Sequence, residues 1–445
     1  MTALKPYPEY EDSGVKWLGD IPLGWALPQL RRVATIINGG TPTPDPDNWG
    51  GDVPWATPVD LNAVDGGTID ETARTLTRVG LSSGSASAPT GSIILSTRAP
   101  IGYSALAARD IAFNQGCKGI VPNGGLDPKF VLFVMQAARM ELTRRGQGTT
   151  FLELSASALG ALPVPIPSTV EQRSIAVYLD RETAEIDAFI ADQEELIGLL
   201  TERRAATITH AVTKGLDPSV PMMDSGVEWL GETPRDWTVA SLRRVVRRVV
   251  QGVSPQAESG LSDSDSAGVL RAGCVNGGVF NDLDHKRLPD GFQLDDEIRV
   301  RVGDLIVNRA SGSPALVGSA ALVRDLRFNL ILSDKTFRLD LNPLVIPGFA
   351  ELYLNSTIYR RQILGAISGA EGLANNLPIS ALKSFVLAIP PVAEQREIVV
   401  EVERETAGID AAIADAREAI ALSRERRAAL ISAAVTGKID VRGAA

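Results

Sequence analysis

Two long stretches of the chain, Glu171–Thr213 and Glu394–Thr436, carry apolar residues on one row with a period near 3.6 residues. The first contains no proline and one glycine, and it is rich in good helix formers. The pattern predicts a long amphipathic helix in each stretch. Gly215 and Gly437 follow the stretches and can supply left-handed C-terminal caps. The rows consist of Ile175, Leu179, Ile186, Ile190, Ile197, Leu200, Ile208 and Ala211, and of Ile398, Val402, Ile409, Ile413, Ile420, Ser423, Ile431 and Ala434.

The rest of the chain has a different pattern. Residues 30–160 and 242–340 contain short apolar runs broken by Gly, Pro, Ser and Asn, which predict strands separated by turns. Lys129–Arg144 and Pro347–Leu364 each predict an amphipathic helix. The predicted fold class is therefore α+β, with two globules that are each followed by one long helix.

The chain is an internal repeat. Residues 12–40 recur at 224–252, where DSGVKWLG is matched by DSGVEWLG and two tryptophans keep their spacing. The two predicted long helices are identical at 27 of 43 aligned positions. Between these blocks, residues 41–150 and 253–375 share little. We therefore expect the shared blocks to do the same job twice and the variable blocks to act on different targets.

A helix of this length with a single apolar stripe needs a partner. We expect each long helix to pack against the other as an antiparallel coiled coil with pseudo-two-fold symmetry. A coiled coil that only dimerises the chain is the simpler alternative. Charged residues off the stripe that recur in the second copy instead favour two equivalent docking surfaces for a partner present twice; these are Glu182, Asp187, Asp192, Glu195 and Arg203.

The composition limits the class of protein. With 445 residues, the chain is too long for one hydrophobic core. No apolar run approaches the ~18 residues of a membrane span, and the N-terminus lacks the apolar stretch of a signal peptide. Cys117, Cys274, His210 and His285 are too few and too scattered for a disulfide framework or a metal cluster. We expect a cytoplasmic protein without a membrane span or a bound metal.

A formal net charge of −10 argues against DNA binding over the whole surface. Basic residues are nevertheless concentrated locally, and a short helix would arrange the second of two such clusters as a basic ridge. Contact with DNA phosphates and salt bridging to nearby acids are both open for these side chains. The clusters are Arg31 with Arg32, and Arg243, Arg244 and Arg247 with Arg248.

Glycine-bearing loops of the two globules carry a second set of candidates. Arginine can bind guanine O6 and N7 with two hydrogen bonds, and Asn or Gln can bind adenine in the same way. Backbone N–H groups of a Gly-Thr-Thr loop can hold phosphates. The alternative for each side chain is simple solvation. The candidates are Arg98, Lys118, Gln147, Thr149 and Thr150 in the first half, and Arg309, Lys335, Asn375 and Asn376 in the second.

Three motifs together resemble the specificity subunit of type I restriction-modification systems. They are DSGVEWLGETPRDW, the segment Ile389–Arg396 and the ending ERRAALISAAVTGKID. The resemblance implies that each globule is a target-recognition domain for one half of a bipartite, asymmetric DNA site. It also implies that the helices act as a ruler, that two methyltransferase subunits dock on them, and that restriction motor-nuclease subunits join the complex. The expected parts are recognition domain 1 with an N-terminal arm (1–168), spacer helix 1 (169–217), recognition domain 2 (218–392) and spacer helix 2 (393–445).

The resemblance implies a subunit without chemistry of its own and without a cofactor. In agreement, the sequence has no Gly-x-x-x-x-Gly-Lys-Ser/Thr phosphate loop, no Asn/Asp-Pro-Pro-Tyr methylase motif and no Cys/His site. S-adenosylmethionine and ATP would then be bound by partner subunits. Two alternatives stay open at this point. One is a self-contained methyltransferase or nuclease, which a methylation assay on the pure protein would detect, and the other is a coiled-coil adaptor without DNA contact.

Overall fold

The computed structural model describes residues 5–98, 100–148, 152–263, 266–367 and 375–443. By its internal contacts the chain divides into two units. Unit 1 contains Met1–Gln193 and Glu418–Ala445, and unit 2 contains Glu194–Arg417.

Unit 1 is built on two sheets. One has the strand order β6-β4-β10-β7, and the other has the order β3-β11-β8-β9-β5. The strands are β1 (Tyr10–Asp12), β2 (Asp20–Pro22), β3 (Ala34–Asn38), β4 (Trp49–Ala56), β5 (Thr68–Ile69), β6 (Thr75–Leu76), β7 (Ala86–Ala88), β8 (Ile93–Thr97), β9 (Ile101–Ala107), β10 (Ile111–Phe113) and β11 (Cys117–Pro122). The helices are α1 (Pro58–Ala63), α2 (Arg78–Gly84), α3 (Pro128–Ala137), α4 (Arg139–Arg145), α5 (Ala156–Gly160), the first half of α6 (Thr169–Lys214) and the end of α10 (Val392–Val435).

Unit 2 repeats this plan with a sheet of order β15-β22-β18-β20 and a smaller one of order β17-β16-β21. Its strands are β12 (Met222–Asp224), β13 (Glu232–Pro234), β14 (Thr238–Ser241), β15 (Val246–Gln251), β16 (Ala267–Leu270), β17 (His285–Arg287), β18 (Leu305–Asn308), β19 (Ala310–Ser311), β20 (Ala320–Leu322), β21 (Asn329–Ile331), β22 (Thr336–Leu341), β23 (Asn375–Asn376) and β24 (Val386–Ile389). Its helices are α7 (Pro347–Leu354), α8 (Thr357–Ala366), α9 (Ile379–Ser384), the end of α6 and the first half of α10 (Val392–Val435).

One strand in each unit lies between two cores. In β8, Ile93 and Leu95 belong to the core under α3, whereas Ile94 belongs to the core around Phe113. In β18, Leu305 and Val307 face one core and Ile306 faces the other. Because alternate residues of a strand point to opposite faces, a continuous apolar run is what a strand buried on both faces requires. The α+β class predicted from such runs is confirmed.

The two long helices also match their prediction. Both end before a glycine with positive φ, 77° at Gly215 and 72° at Gly437, which is the left-handed cap expected there. In unit 2, Arg204 contacts Asp410 and Thr207 contacts Glu405, so α6 and α10 run in opposite directions. Unit 1 contains the equivalent ion pair, Arg427 with Asp187, at the same Nε–Oδ1 distance of 2.8 Å.

Each long helix is fastened to its own unit by a buried glutamine. Gln395 donates to Leu344 O and Pro390 O at 2.8 Å and accepts from the Ile346 N–H at 2.9 Å. Gln172 donates to Pro167 O and accepts from the Asp127 N–H, both at 2.9 Å. Because a buried amide needs several partners at once, these bonds fix where each helix leaves its globule.

The predicted helices Lys129–Arg144 and Pro347–Leu364 are each two helices, so the expectation of one continuous helix was wrong. The first divides at Ala138, between α3 and α4. The second divides because Ser356 accepts a hydrogen bond from the Tyr359 N–H and caps the start of α8.

Candidate nucleic-acid interface

Residues from three segments meet at one edge of unit 1 and form what we call loop cluster 1, which comprises residues 97–98, 114–118, 147–148 and 152–153. The Thr97 N–H donates to Gly116 O at 2.8 Å, and the Leu154 N–H donates to Thr97 O at 2.9 Å. Gln147 and Glu153 exchange backbone hydrogen bonds of 3.0 and 2.9 Å. The fold therefore brings the predicted loop residues Arg98, Lys118 and Gln147 to one place.

The side chains of loop cluster 1 differ in their availability. Arg98 forms an ion pair with Glu153, although both side chains remain about two-fifths exposed. Lys118 is buried and donates from Nζ to Asn38 Oδ1 at 3.1 Å, and burial lowers the pKa of its ammonium. Gln147 is exposed. The predicted Thr149 and Thr150 lie outside the described residues.

Unit 2 has an equivalent arrangement, loop cluster 2, made of residues 309–311, 333–335 and 375–377. Arg309 donates its N–H to Lys335 O at 2.8 Å, and its carbonyl accepts from the Leu377 N–H at 2.9 Å. Strand β23, which is Asn375–Asn376, pairs with Ser311 and Ala310 of β19. Each unit thus assembles its own predicted loop residues at the end of its central strand, β8 or β18.

Loop cluster 2 also contains both side chains that are held by intramolecular contacts and side chains that are exposed. The Arg309 guanidinium donates to Asp334 O at 3.1 Å and lies 5.8 Å from the centre of the Phe337 ring. Lys335 is exposed and forms an ion pair of 3.4 Å with Asp334. Asn375 lies within 3.5 Å of Gly312 O.

The basic residues predicted near the starts of the repeats lie elsewhere in each unit. Arg31 and Arg32 belong to the 3₁₀ turn Leu30–Arg32 before β3, and both are exposed. Strand β3 pairs its far end, Asn38, with Lys118. Because five residues of strand span roughly 17 Å, the turn and loop cluster 1 are at opposite ends of the sheet. The fold does not bring these two groups of candidates together.

The second basic group begins in the same way but does not form the expected helical ridge. Arg243 and Arg244 lie in the 3₁₀ turn Leu242–Arg244, whereas Arg247 is part of strand β15. Valines on both sides of the arginine pair favour a strand, and Val246 and Val250 are buried. Arg248 forms ion pairs with Glu297 at 2.8 Å and Asp340 at 3.3 Å.

Across the described ranges, neither Arg31 and Arg32 nor Arg243, Arg244 and Arg247 form an ion pair. Their guanidinium groups are exposed. An exposed guanidinium that has no carboxylate partner can bind a phosphate without first giving up an ion pair. These two turns, together with Arg247 at the start of β15, are therefore the better candidates for contacts with the DNA backbone, and the loop clusters are the better candidates for contacts with bases.

Two hydrogen bonds to the glutamate of the repeated Glu-Gln-Arg motif were not predicted from the sequence. Tyr7 donates its hydroxyl to Glu171 at 2.6 Å, and in unit 2 the Trp237 Nε1 donates to Glu394 at 3.0 Å. Burial and the neighbouring carboxylate raise the pKa of Tyr7 above its ordinary value. The recurrence of the Glu-Gln-Arg motif was the available signal, since it singles out this glutamate and the adjacent glutamine.

The described residues contain no group of three or more His, Cys, Asp or Glu side chains placed to hold a metal ion. Cys117 and Cys274 are buried, and burial raises the pKa of both thiols. None of the helices in the described ranges is long and apolar enough to cross a membrane.

Comparison with known proteins shows which proteins this chain is similar to. Residues 22–196 match the model of the type I restriction modification DNA specificity domain. The MjaIX specificity subunit of Methanocaldococcus jannaschii is 34% identical over 166 residues, which are 36% of this chain and 38% of that subunit. The EcoKI specificity subunit of Escherichia coli is 23% identical over 440 residues, covering 95% of this chain and 91% of the relative. Over nearly its whole length this chain is therefore similar to DNA-specificity subunits of type I restriction-modification systems.

The fold is also similar. A chain of a solved type I restriction-modification system covers 93% of this chain with a TM-score of 0.63 at 18% identity, which shows a shared fold. Specificity subunits of this family are non-catalytic. Similarity to such subunits therefore favours a non-catalytic subunit over a self-contained methyltransferase or nuclease. The alignment with the MjaIX subunit spans well under half of that protein, whereas the alignment with the EcoKI subunit spans nearly all of that protein.

Proposed function

We propose that this chain is the DNA-specificity subunit of a type I restriction-modification system and reads a bipartite, asymmetric DNA site, with one half-site contacted by each recognition domain. The proposed domains are 1–168 and 218–392, and the spacer helices are 169–217 and 393–445. One observation carries the proposal. Loop clusters 1 and 2 occupy equivalent places after β8 and β18 but present different side chains. Different donors and acceptors in equivalent places suit two different base sequences.

The candidate contacts divide into two kinds. Arg98, Lys118, Gln147, Thr149 and Thr150 serve the first half-site, and Arg309, Lys335, Asn375 and Asn376 serve the second. Arg31 and Arg32 in one exposed turn, and Arg243 and Arg244 in the other with Arg247 at the start of β15, bind phosphates and orient each domain on the duplex. The site of action is the cytoplasm, as the sequence predicted.

Exchange of one variable stretch tests this division. Residues 253–375 are replaced by the matching stretch of a relative, and the methylated sequences are mapped in the complex with the methyltransferase subunits. We expect one half-site to change, while the other half-site and the gap stay the same. Purified specificity subunit without its partners is the control and should methylate nothing. A swap that alters both half-sites, or neither, contradicts the proposal.

We further propose that the two long helices bind two methyltransferase subunits and carry the restriction motor-nuclease subunits. Exposed apolar residues at equivalent positions support two equal docking surfaces: Val177 on α6 is 57% exposed and Val400 on α10 is 66% exposed. An exposed valine on a helix face is a residue that a partner can bury. An open groove beside Val400 has a volume of about 970 Å³ and is lined within unit 2 by residues of α6 and α10 and by Gly215 and Leu216.

The mass of the assembled complex tests this stoichiometry. We expect two methyltransferase subunits on the wild-type protein, one on Val177→Asp or Val400→Asp, and none on the double variant. Leu364→Asp is the control, because Leu364 is 56% exposed on α8 rather than on a long helix. Full assembly of the double variant would exclude these surfaces as the docking sites.

A further inference from the structure

Unit 1 contains a rigid pair of tryptophans beside its variable loops. Trp49 and Trp55 pack edge to face, with ring centroids 4.9 Å apart and an interplanar angle of 85°. The Trp55 Nε1 donates to Gly40 O at 3.1 Å, and the Trp49 Nε1 donates to Thr43 O at 3.0 Å. An irregularity in β4 brings the rings together, since both Trp49 and Val53 pair with Leu76.

Arg74 is stacked on this pair. Its guanidinium carbon lies 3.6 Å from the centroid of the Trp49 ring and 5.4 Å from that of Trp55. The backbone holds the residue in place, because the Trp55 N–H donates to Arg74 O at 3.1 Å. The side chain is exposed, and within the part of the chain that the structure describes its guanidinium makes no ion pair.

Stacking leaves the hydrogen-bonding edge of the guanidinium available. A cation–π contact uses the flat face of the group, whereas its N–H donors all lie in the plane and point outward. The Trp49 ring therefore fixes the orientation of the planar guanidinium, which we call the donor fork, and leaves its N–H donors free to bind a ligand. By contrast, Arg98 is already paired with Glu153, and Lys118 is buried against Asn38.

The stack borders loop cluster 1. Gly40, which accepts from Trp55, also donates its N–H to Phe113 O at 2.9 Å. The next residue, Thr41, donates its hydroxyl to the side chain of Gln115 in loop cluster 1. Arg74 thus presents an oriented donor fork next to the surface assigned to base contacts.

We propose that Arg74, held flat on Trp49, reads a guanine through its O6 and N7 atoms in the half-site contacted by unit 1. The inference rests on the proposed DNA-reading function and adds a specificity-determining residue to it. A base contact fits better than a phosphate contact, because a fixed planar fork matches the two adjacent acceptors on guanine, whereas a flexible lysine suffices for a phosphate. Trp49 is the positioning residue for this contact.

The test uses the full-length specificity subunit assembled with its methyltransferase subunits and a pool of random-sequence duplex DNA. Selection with the wild-type complex defines both half-sites. We expect Arg74→Lys to reduce the preference for one G·C pair in the first half-site by about tenfold to a hundredfold, which is the range for a bidentate Arg–guanine pair. The second half-site should stay unchanged. Because lysine keeps the charge, the dependence of binding on salt should also stay unchanged.

Arg109→Ala is the matched control. Arg109 is exposed in the turn after β9, at the end of the sheet opposite Arg98. Its removal should leave both half-sites intact. Trp49→Leu should weaken the same G·C preference as Arg74→Lys, because the fork then loses its fixed orientation.

The outcomes separate this inference from the function on which it rests. If the wild-type complex selects no sequence, the proposed function fails and the role of Arg74 falls with it. If the wild-type complex selects a bipartite site and Arg74→Lys retains every preference, only the role of Arg74 is refuted. A loss spread equally over all positions, or confined to the second half-site, refutes it as well. An unchanged profile for Trp49→Leu refutes the positioning role of that ring.

Discussion

Replacing Gln395 with leucine should loosen the second long helix from its globule. Gln395 is fully buried and makes three hydrogen bonds, to Leu344 O, Pro390 O and the Ile346 N–H. Leucine fills a similar volume but satisfies none of these groups. A buried donor or acceptor left without a partner costs about 1–3 kcal/mol. Because Leu344 lies at the surface, water can replace that one bond, and we expect a total loss of about 3 kcal/mol for the remaining two.

Hydrogen exchange measured on the full chain detects this change locally. The Ile346 N–H donates to the Gln395 side chain, so its exchange reports directly on the contact. A loss of about 3 kcal/mol in the opening free energy speeds exchange on the order of a hundredfold. Gln172→Leu should have a smaller effect at Asp127, since Gln172 makes two such bonds.

Gln256→Leu is the control, because Gln256 is exposed in the same unit. A substitution of this kind should change stability by no more than about 0.5 kcal/mol. If Gln395→Leu exchanges at Ile346 no faster than Gln256→Leu does, the glutamine does not fasten α10 to unit 2, and the reasoning is refuted.

Two further predictions concern charge. Arg327 donates to Asp282 and holds the pKa of that carboxyl below its ordinary value. The ion pair therefore stabilises unit 2 at pH values above about 4, and its contribution disappears as the carboxyl is protonated. The free energies of urea unfolding of wild type and Arg327→Ala should differ at pH 7 and converge at low pH, and an equal difference at every pH would contradict this. The double variant Arg31→Ala with Arg32→Ala should weaken binding alike for all DNA sequences and lower the salt slope by about one for each lost phosphate contact, whereas an altered base preference would assign these side chains to the bases instead.

The repeat and the apolar period were sufficient to predict the long helices. Both signals are local, because the 3.6-residue row and the terminal glycines Gly215 and Gly437 belong to the helix itself. The candidate residues of the loop clusters could also be predicted, because Arg98 and Arg309 each follow the apolar run of a buried central strand. Sequence reasoning failed where a local pattern fits two structures. The arginines from Arg243 to Arg248 suit a helical ridge by spacing, but the valines around them form a strand.

The stack of Arg74 on Trp49 could not be predicted from the sequence. The two residues are 25 positions apart, and their contact depends on the irregular pairing of β4 with β6. A register shift of this kind leaves no periodic pattern of residues in the sequence. The burial of Lys118 is a similar case, because it results from the pairing of β11 with β3, and not from the residues beside it in the chain.

The same exposed contact of a lysine recurs in both units even where the sequence order changes. Lys438 donates from Nζ to Asp20 O, and Lys214 donates from Nζ to Glu232 O. The order differs, because Lys438 follows the capping glycine Gly437, whereas Lys214 precedes the capping glycine Gly215. The loop clusters are held differently, because their segments are joined mainly by backbone hydrogen bonds such as Thr97 N–H to Gly116 O. A backbone hydrogen bond does not depend on the identity of the side chain that its residue carries. The surfaces assigned to DNA can therefore change their side chains without refolding, while the contacts that fasten the helices cannot.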